Sequence, residues 1–167
     1  LFRRPPAFSN ALMQNIAGGN TMVFNRAAKH LIAQSTAESA VVSYDWWAYQ
    51  IIAAAGGDVH YDPEPCLQYR QHGGNIIGSN NSWRARLSRI VGLMNGEYQR
   101  WNDINLAALE YNAHLLTAEN RRCLRSFAKA RESSFLKRIQ MFRQSGVHRQ
   151  KPLQNLALLL ALGANRV

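Results

Sequence analysis

Acidic residues are scarce in this chain, and their scarcity is lopsided. Ten Asp and Glu stand against twenty Lys and Arg over 167 residues, a formal net charge of +10. Residues 1–80 hold five of each sign, whereas residues 81–167 hold five acids against fifteen cations. The whole excess therefore lies in the second half. It points to an anionic partner there, nucleic acid or a lipid surface, with solvated helix faces as the plainer alternative. Cysteine is equally sparse. Cys66 and Cys123 form no C-x-x-C and no zinc spacing, which favours a reducing compartment and leaves a pairing in space open. Long apolar runs are missing too: "LALLLALGA", Leu156 to Ala164, is too short to cross a bilayer. The opening "LFRRPPAF" has no apolar stretch behind it and so is no signal peptide, and without a first methionine the chain reads as a piece of something longer. There is no G-x-G-x-x-G, P-loop, H-E-x-x-H, zinc-finger or RNP pattern, no defensible helix-turn-helix, and no internal repeat.

What is present suits a folded chain, with 47% hydrophobic residues and enough length for one core. The first half reads as mixed α/β. "NTMVFN", Asn20 to Asn25, has the composition of a short buried strand after Gly18-Gly19. "RAAKHLIAQ" reads as a helix, and "SYDWWAYQIIAAAGG" as a better one, with Ser43 as N-cap, Asp45 in the first turn and Gly56-Gly57 as the stop. "DVHYDPEPCLQYRQHGG" then reads as two short strands parted by Asp62-Pro63-Glu64-Pro65.

The second half reads as helices only. Trp83, Leu87, Ile90, Val91 and Met94 form one stripe after an Asn81-Ser82 cap. The pattern runs on through Tyr98, Trp101, Leu106 and Leu109 towards Leu116, with a break expected near Asn102-Asp103. Thr117 caps a helix that turns Leu124, Phe127 and Ala128 inward and Arg121, Arg122, Arg125 and Lys129 outward. Phe135, Ile139 and Phe142 mark another helix ended by Gly146, and Pro152 opens a last, leucine-rich one.

Three features carry candidate chemistry. Asp45 in a first turn is ordinarily a helix-dipole partner. A carboxylate flanked by Trp46 and Trp47 is also how a general base is held beside a sugar, with the rings against the apolar sugar face. His72, in "YRQHGGN", sits where a strand end meets two glycines, although single histidines are more often structural than metal-binding. Gly18-Gly19 permits positive φ and a close approach of ligand to backbone, and its commoner use is a tight turn.

Taken in order, "NIAGGNTMVFNRA" and "SYDWWAYQIIAAAGGDVHYDPEPCLQYRQHGGNIIGS" resemble the carboxy-terminal half of family 2 glycosyltransferases with the GT-A fold. The likeness is greatest to bacterial rhamnosyltransferase-like members that build O-antigen and other surface polysaccharides, and it covers roughly residues 5 to 80. It implies an α+β, predominantly helical chain: residues 1–80 the acceptor-side part of a GT-A catalytic domain, residues 81–167 a basic helical tail. It further implies inverting transfer of a sugar, such as rhamnose, from a nucleotide-sugar donor to a glycan or lipid-linked acceptor. Asp45 then stands in the place of the catalytic base, Gly18, Gly19, Asn20 and Thr21 line the sugar site, and Trp46 and Trp47 wall the acceptor side, with at least one of them structural. Arg70 and Gln71 fall where the diphosphate is contacted, and His72 matches a histidine that binds Mg²⁺ or Mn²⁺ or the diphosphate.

The family's D-x-D motif is absent, since Asp58 and Asp62 are four apart, and no nucleotide-binding βαβ pattern precedes Leu1. The isolated chain is accordingly expected to be inactive. The resemblance also implies a cytoplasmic protein that can lie peripherally at the inner membrane, and the charge asymmetry adds the expectation that its basic, leucine-rich tail rests on anionic lipid. The rival readings are a basic helical module that holds nucleic acid through phosphates, indifferent to Asp45, and a helical assembly or membrane adaptor.

Overall fold

A computed structural model describes residues 2–36, 40–64 and 95–164. Every regular element among them is a helix. In chain order these are α1 (Phe8–Ala11), α2 (Arg26–Thr36), α3 (Tyr44–Ala54), α4 (Glu97–Tyr111), a 3₁₀ turn (Ala113–Leu115), α5 (Ala118–Glu132), α6 (Phe135–Ser145) and α7 (Pro152–Gly163).

α3 is the centre. Its sequence is apolar on all sides, and a helix of that kind must be buried all round. Residues 46–54 are all buried, and the helix packs against α1 and α2. Its end is built from Gly56 (φ 80°), whose N–H donates to the Ala53 carbonyl, and Gly57, whose N–H donates to the Ile52 carbonyl. These are the two bonds of a Schellman cap, and only glycine takes the left-handed position cheaply. The Ala54 carbonyl, left without a partner inside the helix, receives the Thr117 N–H at 3.0 Å, and the Asn120 side-chain amide donates to both the Ala53 and Ala54 carbonyls. The end of α3 is thus closed by the start of α5.

α5 is amphipathic. Leu124, Phe127 and Ala130 are buried, while Arg121, Arg122, Arg125 and Lys129 are exposed. Thr117 caps it, its hydroxyl accepting from the Asn120 N–H at 3.1 Å. α5 and α6 form a tight helical hairpin, with Phe127 and Phe142 rings 6.3 Å apart. The Arg138 guanidinium donates to the Ser133 and Leu162 carbonyls and so ties this hairpin to the end of α7.

The two ends of the described chain meet in a polar seam beside α1. The Asn10 amide donates to the His148 carbonyl, Arg149 donates to the Met13 carbonyl, and the Gln150 N–H donates to the Gln14 side chain. Gln150 also receives the Arg4 N–H and donates to the Arg4 carbonyl. Asn10, Gln14 and Gln150 are buried, and their hydrogen bonds offset the cost of removing them from water. One hydrophobic cluster runs from Phe8 through Trp47 and Ile51 to Leu109, Phe127 and Leu162.

Several expectations are corrected. The α+β class, as half of a GT-A sheet, fails: no strand forms among the described residues. An extended segment needs a neighbouring strand to take its backbone groups. "NTMVFN" instead forms a turn followed by irregular chain, with Val23 95% exposed. Residues 58–64 lie on the helices through Val59 and an edge contact between the Phe2 and Tyr61 rings, and Asp62 folds back to accept the Glu64 N–H. The break near Asn102-Asp103 does not occur, because Asn102 faces inward in an uninterrupted α4. Ala128 is only half-buried, and Ala130 takes the enclosed place. The helices over "RAAKHLIAQ" and from Ser43 to Gly56, and the stops and starts at Thr117, Gly146 and Pro152, form as the sequence predicts. The stripe from Trp83 to Met94 and the second strand of the first half fall mostly in 65–94, outside the described residues.

Candidate functional site

The start of α3 is where the sequence-predicted residues meet. Ser43 holds extended backbone at the N-cap (φ −154°, ψ 148°), yet its hydroxyl makes no capping bond. Asp45 serves in its stead, with one carboxylate oxygen accepting from the Trp46 N–H at 2.8 Å. A negative charge there is also favoured by the helix dipole. Asp45 itself is half-buried.

The glycine turn lies against this helix start. The Thr21 N–H and hydroxyl both converge on the Gly18 carbonyl, at 2.9 and 3.1 Å, which closes the turn. A Cβ on Gly19 would overlap the hydroxyl and ring of Tyr44, the residue before Asp45. Space, then, is what Gly19 supplies. The positive φ anticipated for this pair is not used: among the described residues only Gly56, Gly96 and Gly146 adopt it. Asn20 and Thr21 are exposed at the tip of the turn.

The two indoles lie beneath this surface. Trp47 is 1% exposed and its ring N–H donates to the Ser35 hydroxyl at 3.1 Å. Trp46 is 8% exposed and its ring N–H donates to the Ala11 carbonyl at 2.7 Å, a carbonyl shared with the Gln50 amide. Its face meets Trp101 edge-on, at 6.5 Å. The aromatic ring open to solvent here is that of Tyr44, 67% exposed, which the sequence reasoning passed over. Place along the helix was the available signal: residues 46–54 are buried on every side, whereas Tyr44 is the first residue inside the cap, at the helix's exposed end.

Arg70, Gln71 and His72 lie outside the described residues. Among the described residues no group of three or more His, Cys, Asp or Glu could hold a metal ion. Two shallow depressions lie elsewhere: one of about 360 Å³ around Asn95, Glu97 and Arg100, and one of about 300 Å³ between α4 and α5, over the Arg131–Asp103 ion pair. Neither includes Asp45.

Among the described residues two titrating groups are perturbed, both inside the protein. Burial pushes the Tyr49 hydroxyl up to about 12, against the opposing pull of its hydrogen bond with Ala7. Burial pushes the Cys123 thiol up to about 11, and the nearby Glu119 charge adds to the shift. Both therefore remain protonated near neutrality and are structural, with Tyr49 donating within the Ala7–Asn10 seam and Cys123 to the Ser145 carbonyl. No helix among the described residues is long and apolar enough to cross a membrane.

No family model matches this chain, and no solved structure matches it. A curated relative does: the dTDP-rhamnosyl transferase RfbG of Shigella flexneri is 29% identical over 72 residues, which is 43% of this chain and 25% of that protein. The chain therefore spans about a quarter of the length of the relative it matches, and its link to a glycosyltransferase is a partial sequence similarity.

Proposed function

We propose that this chain is part of a glycosyltransferase that moves a sugar from a nucleotide-linked donor to a glycan acceptor, with Asp45 as general base. The observation that carries the reading is the similarity to a dTDP-rhamnosyl transferase. It favours dTDP-linked rhamnose as the donor. The meeting of the Gly18–Thr21 turn with the Tyr44-Asp45 helix start supports it, because it brings a half-buried carboxylate, an exposed aromatic ring and exposed polar side chains together.

In this reading the Asp45 carboxylate accepts the proton of the acceptor hydroxyl. That oxygen bonds to the anomeric carbon from the face opposite the nucleotide, the bond from that carbon to the diphosphate oxygen breaks, and the nucleoside diphosphate leaves with the electron pair. The anomeric configuration inverts in one displacement. Tyr44 offers its ring to the apolar face of the sugar, Asn20 and Thr21 offer hydrogen bonds, and Trp46 and Trp47 fix the helix start from below. Arg70, Gln71 and His72 keep the diphosphate-side roles that the resemblance implies. The Mg²⁺ or Mn²⁺ that the resemblance implies would be held through His72 together with ligands from outside the described residues, and would supply positive charge to the diphosphate.

The test is release of dTDP from dTDP-rhamnose by the protein expressed from its complete reading frame, with a glycan acceptor. Asp45→Asn keeps the carboxylate's shape and its oxygen for the Trp46 N–H, so folding should be unchanged while turnover falls about 10²–10⁴-fold. Equal turnover in Asp45→Asn, or no release from any nucleotide sugar by the unaltered protein, would defeat the proposal.

A further inference from the structure

From Ser133 to Ala164 the chain contains no acidic residue, and among the described residues this same stretch carries most of the large apolar side chains left in solvent. On α7, Leu158, Ala161 and Leu162 face the core, while Leu153, Leu156 and Leu160 are 78%, 55% and 69% exposed. Their spacing of three and four residues sets them on one stripe, about 10 Å long at the rise of an α-helix. The start of α6 extends that stripe. Phe135 and Leu136 are 56% and 78% exposed, and Phe135 reaches the end of α7 so closely that a Cβ on Gly163 would meet its ring at 3.3 Å. The Arg138 bond to the Leu162 carbonyl holds the same junction. Exposed Lys137 follows Leu136 directly, exposed Arg143 lies about two helical turns on from Leu136, and exposed Lys151 lies two residues before Leu153.

We infer that the α6–α7 face is a docking surface for an anionic lipid bilayer, with the leucines and Phe135 entering the headgroup–acyl boundary and the cations meeting lipid phosphates. Apolar residues rimmed by cations, with no acid in the segment, match that boundary on both counts. A second copy of the chain matches it on only one: a two-fold contact would bring the cations of this acid-free face against those of the other copy. Nucleic acid would answer the cations and leave five large apolar side chains in water. The surface is independent of Asp45 and of any sugar transfer.

The test is co-sedimentation of the purified chain with vesicles of phosphatidylcholine alone and of phosphatidylcholine with phosphatidylglycerol. Binding is expected only with phosphatidylglycerol and should weaken as salt rises. K137E/R143E/K151E should lower the partition coefficient on the order of a hundredfold, about fivefold or more per cation. L153S/L156S/L160S should lower it about tenfold or more, with the helical circular dichroism unchanged. Should the triple variant lose helicity, L153S alone, at the exposed start of α7, carries the apolar arm with a loss of about threefold. Binding that ignores phosphatidylglycerol, or that survives the folded leucine variants, overturns the inference. So does a dimer in light scattering that the leucine variants dissolve, which would assign the face to a second copy. Asp45→Asn should bind vesicles unchanged, so a failed transfer assay and a failed docking assay remain distinct.

Discussion

At the start of α3 the decisive residue is a small one. Gly19 lies where any side chain would run into the Tyr44 ring, so glycine there fixes the distance between the turn and the helix that bears Asp45. The Tyr44 ring is mostly in solvent and can yield. Gly19→Ala should therefore cost about 1 kcal/mol, the low end for overpacking. The cost should fall close to zero when Tyr44 is already Ala, because the clash is between those two residues. Urea denaturation of the two single variants and the double variant measures this coupling, and an unchanged cost in the Tyr44→Ala background would deny the contact. At Gly18 the nearest obstacle is the Thr21 hydroxyl at 3.1 Å, the end of a small mobile side chain, so Gly18→Ala should cost less. Part of this site was legible beforehand. The place of Asp45 in a first turn follows from the Ser-Tyr-Asp order ahead of an apolar run. The fate of the indoles was not, because a tryptophan pair at a helix start reads alike in a core and in a sugar site, and it is the packing of α3 against α1 and α2 that encloses both.

Among the elements, helices were legible and strands were not, for a physical reason. A helix satisfies its backbone locally, so its caps, stops and apolar stripe are all written in adjacent residues. Thr117, Gly56, Gly146 and Pro152 each act as the sequence predicts. A strand depends on a distant partner, and "NTMVFN" has a strand's composition without one. Asn102 misled in the opposite way: a residue read as a breaker is tolerated mid-helix because it faces the interior of α4. The joint between α3 and α5 offers the sharpest test at this scale. Gly56 combines φ of 80° with a Thr117 methyl that would lie 2.9 Å from an added Cβ. Gly56→Ala should destabilise the protein by about 1–2 kcal/mol, from left-handed strain plus the displaced Thr117. Adding Thr117→Ser, which keeps the capping hydroxyl and removes the methyl, should recover the steric part only. Thermal unfolding of the three variants separates the contributions, and full recovery by Thr117→Ser would show that backbone strain is negligible there.

Across the whole molecule, the charge asymmetry was legible from composition, but the way the ends join was not. The buried seam of Asn10, Gln14 and Gln150 is made of residues that read as ordinary surface polars, and only their pairing across about 140 positions explains their burial. Tyr49 reaches into that seam, and Cys123 lies at the α5–α6 joint, so alkaline titration reports on the integrity of both places. The sign follows from linkage. Cys123 titrates at 9.0 when unperturbed and at about 11 in the folded chain; Tyr49 at 10.0 and about 12. Below pH 9 both are protonated in either state, and the folded protein has the full benefit. As pH rises beyond 9 the unfolded chain releases the Cys123 proton first while the folded chain keeps it, and beyond 10 Tyr49 does the same. Stability should therefore fall as pH rises, by at most about 1.4 kcal/mol per pH unit for each group, and level off only above the folded values. The urea midpoint, followed from pH 8 to 11, should decline from about pH 9. In Cys123→Ala the decline should be delayed to about pH 10, where Tyr49 takes over; a Cys123→Ala profile parallel to the parent's would mean that the thiol is not held in the interior as the structure describes.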